Sequence, residues 1–449
     1  MDERRQRRVI AVATALIALA YLVGVSLTSG LSRPLVQGDA RSYFAYLPSL
    51  VLDADLDLRN EFVRLQPNTD PNPYPWDVGA GDLAANPFPV GPALLWLPGY
   101  LFGLGADMLA AGAGLDTGPR GYGLFAAWGA ALAAIALAGL GAELSRRLAA
   151  ATIAPEHALP ATLLVWIGTP ALYYTLVAPL YSHAVAWFAA ALALWTAWRA
   201  SQPPLLWRRW LAAGLAGGLL LAIRLQDAPI LLVPLALLAT LDRRVRGGAA
   251  AAWAGGVMLG YLPQAWVWYR LHGELVPRQN LGAPGPFSIA RLGAVLFSSG
   301  YEGWLSWTPL AAVGIVGLGW LALGPAARRP YTDRAGVPRS AASRWIATAA
   351  LAAIAGLVLV DVVHPYGQGA AFGARRYVSV TPLLILGVTA AIAACGARAR
   401  LRRPGWIVIG ALALAGLWLF IAYELLVLRH GVYPDLIQAW QYALGHWSG

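Results

Sequence analysis

Apolar residues in this chain come in runs of helical length from end to end, divided by short clusters of arginine. A run of about 20 apolar residues is what a helix needs to cross a bilayer. The pattern predicts spans at 9–29, 120–143, 156–174, 178–198, 210–223, 228–241, 249–270, 303–324, 345–363, 378–396 and 405–427. The first run starts at Val9, after MDERRQRR, and lacks a small-residue cleavage pattern, so it reads as a retained helix. The segment Phe88–Gly112 is also apolar, but a single crossing there inverts every later arginine cluster. With Pro87, Pro89, Pro92 and Pro98 it is expected to be a broken, re-entrant or interfacial helix on the outer face. The expected fold class is therefore all-α: a polytopic integral membrane protein with about 11 spans, read as one domain over 1–449. Residues 1–271 are its expected catalytic core and 272–449 an outer loop and C-terminal helices.

Composition agrees. Of 449 residues, 58% are hydrophobic and 12% charged, about half the charged fraction of a soluble domain. The net charge of +11 is a topology signal and implies no nucleic acid, because all 33 basic residues are arginines and most sit between apolar runs. The clusters at Arg4–Arg8, Arg146–Arg147, Arg199–Arg209, Arg243–Arg246, Arg328–Arg344 and Arg398–Arg403 go to the cytoplasmic side. The N-terminus is then inside and the tail from Leu428 outside. A lone Cys395 excludes an internal disulfide.

That topology sorts the acids. Eight of the 22 lie between Asp39 and Asp82, in the first outer loop. After Asp39, the apolar positions Tyr43, Phe44, Leu47, Leu50 and Val51 form a helical stripe, with Arg41, Ser42 and Ser49 opposite and Pro48 as a bend. This predicts a helix lying in the membrane interface with Asp39 at its N-terminus, as a cap, as a reactive carboxylate on a rigid mount, or as both. The run Asp53-Ala54-Asp55-Leu56-Asp57 resembles the start of a calcium loop, but position six is Leu58 and the closing place is Arg64. Asp53, Asp55 and Asp57 read first as a solvated turn and only second as metal ligands. His183 reads as a packed, hydrogen-bonded histidine, and Trp304, Trp307 and Trp440 as interface anchors. No cofactor is indicated, and a divalent metal stays open.

The order of spans, an Asp after the first and a following juxtamembrane helix resemble the GT-C glycosyltransferases. Within them the chain is most similar to the protein O-mannosyltransferase and lipid A aminoarabinose transferase group. Their first outer loop carries a pattern like Asp-Glu-x-Arg-Tyr. Here Asp39, Ala40, Arg41, Ser42 and Tyr43 stand in its place, without the second acid. Asn86-Pro87-Phe88-Pro89 replaces the family's Lys-Pro-Pro, and Arg224-Leu225-Gln226-Asp227 takes the place of a polar break between helices. Phe297-Ser298-Ser299 with Trp307-Thr308-Pro309, and Phe372 to Tyr377, also resemble stretches of uncharacterised bacterial members. The resemblance implies transfer of a sugar from a polyprenyl-phosphate carrier to a glycan, lipid or protein acceptor. The enzyme would sit in a bacterial inner membrane with its site facing out, and Asp39 would be the catalytic base.

Chemistry gives that pattern a reason. A polyprenyl phosphate is already a good leaving group, so one carboxylate that takes the acceptor's proton suffices. The phosphate's growing charge calls for arginine forks. The outward candidates are Arg41, Arg224, Arg278, Arg375 and Arg376, with Gln226, Asp227 and Tyr43 as support. Arg224 stands first, because an arginine at the end of a short helix amid apolar residues is costly unless used. The plain alternative is a local pair with Asp227. A transporter, a non-catalytic lipid-binding protein and an oligosaccharide polymerase or ligase are the competing readings.

Overall fold

The computed structural model describes residues 2–28, 35–65, 83–277, 285–300, 303–324, 340–364, 372–431 and 433–445. Helices dominate it, and the described residues contain no β-strand. Among the described residues, six helical segments are long and apolar enough to cross a membrane: Glu3–Leu27, Gly91–Gly112, Leu124–Thr152, Ser343–Val363, Arg375–Gly396 and Ala399–His430. The chain is thus an all-α, multi-pass membrane protein. The span expected at 249–270 lies within one 30-residue helix, Arg243–His272, and those expected at 178–198 and 210–223 are single helices, Ser182–Ala200 and Trp207–Ile223. The one expected at 156–174 stops at Gly168, and the one at 228–241 is a 3-10 turn followed by the eight-residue helix Leu232–Ala239.

One frame of the fold is a trio of long helices, α1 (Glu3–Thr28), α5 (Gly91–Gly112) and α6 (Leu124–Thr152). Thr14 of α1 packs on Gly139 of α6, and Arg146 of α6 donates to Gln6 at 2.8 Å. Residue numbers rise on one helix as they fall on the other, so α1 and α6 are antiparallel. The same holds for α5 and α6, where Gly99 faces Gly129 and Gly103 faces Phe125. A methyl group at Gly99, Gly103 or Gly129 would collide with the facing backbone, so this seam depends on glycine. At its end the Asp107 carboxylate accepts from the Phe125 and Ala126 N–H groups, at 3.1 and 2.8 Å. It thereby satisfies free donors of the first turn of α6.

This corrects the expectation for 88–112. The segment is one 22-residue helix that runs through Pro98, not a broken surface helix. Pro92 lies in its first turn, where no N–H partner is lost. Because α1 and α5 both run against α6, the chain between them has to return, and α5 does not invert the later helices. The described parts of that return are α2 (Asp39–Phe44), α3 (Tyr46–Pro48), a π-turn at Ser49–Asp53, α4 (Arg59–Leu65) and residues 83–90.

The return segment is not a surface helix. Tyr43, Phe44 and Leu47 are buried as the stripe requires, but Ser42 and Ser49 on the opposite face are buried too. The segment is clasped on both sides: Tyr43 packs edge-on to Phe88 and Trp96, Phe44 does so on Tyr100, and the Tyr46 hydroxyl donates to the Phe88 carbonyl at 2.9 Å.

Candidate functional site

Four helix ends or breaks meet beside the start of α5. They are the first turn of α2, the start of α9 (Ser182–Ala200), the break after α10 (Trp207–Ile223), and the 3-10 turn Arg375–Val380. Breaks matter because they leave polar groups among apolar helices, where side chains must satisfy them. The glycine at α5's start, Gly91, touches the Ala222 and Ile223 backbone, which fixes that corner.

Asp39 is the first residue inside α2. Gly38 takes the cap position, at φ 55°. A side chain there would strike the Tyr181 hydroxyl, so glycine is needed both for its conformation and for the approach of Tyr181. The Asp39 carboxylate forms an ion pair with Arg375 at 2.7 Å and is 32% exposed. The expected capping role gives way to this pairing. The Arg375 guanidinium also lies 5.8 Å from the centre of the Tyr181 ring, within cation–π range.

Arg224 ends α10 with an extended backbone, φ −153°. Its Nη1 donates to Ser182 Oγ at 3.2 Å and lies 3.2 Å from His183 Nδ1. Its Nε is 3.4 Å from Asp227 Oδ2, an ion pair without hydrogen-bond geometry. Asp227 is fully buried and accepts from Ser379 at 2.8 Å. The local pair with Asp227 is therefore present, and Arg224 is held from three sides. Next to it Tyr43 packs close to Ser182, and burial, opposed by the Arg224 charge, pushes its phenol up. His183 is buried against Tyr174, ring centres 4.4 Å apart, as a packed histidine should be.

The neighbouring Arg376 pairs with Asp361 and lies 3.4 Å from His364, and Tyr377 donates to Asp361 at 3.1 Å. The described residues thus interleave three arginines with three aspartates: Arg375 with Asp39, Arg224 with Asp227, Arg376 with Asp361. Among these acids only Asp39 opens outward, since Asp227 and Asp361 are buried.

Of the expected site residues, Asp39, Arg224, Asp227, Arg375, Arg376 and Tyr43 come together. Arg41 is half-buried on α2, near enough for its charge to reach Tyr181, and Gln226 is half-buried in the 3-10 turn. Arg278 lies outside the described residues. The acids after α2 are engaged locally. Asp53 accepts from Asn60 at 2.7 Å, Asp55 from Ser49 and the Asp57 N–H, and Asp57 holds Arg59 at 2.6 Å. Among the described residues no three His, Cys, Asp or Glu side chains converge on one point that could hold a metal. Asp361, Tyr181, Ser182, Ser379 and His364 also belong to the cluster, and the sequence pattern does not mark them as site residues. For Asp361 a signal existed: a carboxylate near the end of an apolar span that must find a partner.

Chemically, the cluster offers one accessible carboxylate and a set of guanidinium groups, which suits proton acceptance beside an anion. Comparison with protein-family models, with curated proteins and with solved structures finds no match to this chain.

Proposed function

We propose that this protein is a GT-C-like membrane glycosyltransferase. It moves a sugar from a polyprenyl-phosphate carrier to an acceptor hydroxyl of a glycan, lipid or protein, on the outer face of a bacterial inner membrane. The observation that carries this reading is Asp39, a partly exposed carboxylate released from capping and set against Arg375. In the reaction Asp39 takes the acceptor's proton as the acceptor oxygen bonds to the sugar's C1. The bond from C1 to the phosphate oxygen breaks, and its electron pair leaves with the carrier phosphate. Attack opposite the leaving group inverts C1. The charge that grows on the phosphate is met by Arg375, with Arg376 and Arg224 adding positive potential behind it.

A second reading, a transporter, draws on the buried ion pairs themselves, because such pairs among apolar helices also line translocation paths. The two readings part on one experiment. The purified protein in nanodiscs is given polyprenyl-phosphate sugars and simple sugar or lipid acceptors, and free polyprenyl phosphate is measured. Acceptor-dependent release supports the transferase. No release from any donor, with substrate counterflow in proteoliposomes, overturns it in favour of transport.

A further inference from the structure

The three arginine–aspartate pairs are not equivalent. Asp227 and Asp361 are buried, and each accepts a second hydrogen bond, from Ser379 and from Tyr377. Pulling an arginine from either would strand a carboxylate away from water, which is strongly unfavourable. Asp39 differs: its side chain is one-third exposed and can be solvated if its partner leaves. Arg375 also keeps a second support, the face of Tyr181. This pair alone of the three can open without stranding a charge.

The pairing also poses a chemical conflict. A carboxylate oxygen engaged by a guanidinium is not free to meet the acceptor's hydroxyl, and a guanidinium engaged by a carboxylate is not free for phosphate. We infer that the Asp39–Arg375 pair is a latch opened by the donor: the carrier phosphate takes Arg375, and Asp39 is thereby released to act as base. This rests on the transferase reading above. The donor phosphodiester brings one negative charge, enough to compete for Arg375. After transfer the proton sits on Asp39, and the carrier leaves as a monoester with greater charge, held by Arg375. When Asp39 gives up that proton to water, it competes for Arg375 again and helps release the product. Arg375 is thus a positioning residue for the base as well as a phosphate ligand.

The latch makes a non-additive prediction for binding, tested with polyprenyl phosphate as the probe and full-length protein in phosphatidylcholine nanodiscs. Asp39→Asn frees Arg375 and should tighten probe binding about tenfold, while Arg375→Ala should weaken it about tenfold. In the double variant the Asn substitution should give no gain, so its affinity matches Arg375→Ala alone. Asp39→Ser serves in the same cycle should the Asn variant fail to fold. Equal tightening by Asn with and without Arg375 would mean that only net charge matters, and would overturn the latch while leaving the transferase reading intact. Unchanged affinity in Asp39→Asn overturns it likewise. Failure of every form, wild type included, to bind the probe removes the transferase reading and the latch with it.

Discussion

Glu61 shows how far burial and neighbouring like charge can move a carboxyl in this chain. It belongs to α4, outside the spans, and is fully buried. One oxygen accepts from Asn60 at 3.0 Å and the other has no partner. Burial, with Asp53 and Asp55 adding like charge, pushes its pKa from 4.5 up to about 8. A raised carboxyl keeps its proton in the folded state when the unfolded chain has already lost it. Stability should therefore fall as pH rises through the window from 4.5 to about 8, then level off. Glu61→Gln removes the titration, so its melting temperature should vary less across that window and exceed wild type on the alkaline side. An unchanged pH slope in the Gln variant would contradict the assignment. At this scale the sequence was partly legible. Asp39 and the arginines at helix ends stood out because charge amid apolar residues is costly. Ser182, Ser379 and Tyr181 did not, because hydroxyl side chains at helix ends are ordinary and only their convergence makes them part of a site.

Among elements, the helices themselves were readable from apolar runs, and α2 was readable from its stripe. What the stripe could not say was which apolar medium it faces. Period alone does not separate lipid from protein, and Phe88, Trp96 and Tyr100 supply the cover that the bilayer was expected to give. The case of α5 is similar. Its prolines suggested a break, but Pro92 sits in the first turn, and Pro98 is carried within a helix that packs closely on α6. Asp107 binds the two helices at their joint. Asp107→Ala should leave the Phe125 and Ala126 N–H groups without a carboxylate and destabilise the hairpin by about 1–2 kcal/mol. Asp107→Asn should recover part of that. Thermal unfolding in detergent checks both, and an Ala variant as stable as wild type would show that the cap contributes nothing.

For the whole molecule, the helix directions explain how the segment between α1 and α5 reaches the candidate site. Since α1 and α5 run the same way, the chain between them returns along the trio. Along α5, from Gly103 opposite Phe125 back to Gly91, the antiparallel register places Gly91 opposite about residue 137 of α6. By helical rise that is on the order of 20 Å from Leu124. Arg224 adjoins that level, so the cluster is recessed from the far ends of α5 and α6. Arginine clusters carried no information on depth, which is set by how far the return segment descends. Recession suits a lipid-linked phosphate whose tail stays among apolar helices, and it also withdraws the arginines from bulk screening.

As the proposed base, Asp39 is set apart from an ordinary helix-end residue by what an amide in its place would do. The most direct measurement compares polyprenyl phosphate release by wild type and Asp39→Asn, at saturating donor and acceptor, with thermal unfolding as the control for folding. The amide keeps the shape of the side chain but cannot take the proton. A base at Asp39 requires a melting temperature close to wild type and a turnover lower by about 10²–10⁴-fold. Turnover within a few-fold of wild type in a folded Asn variant would contradict it.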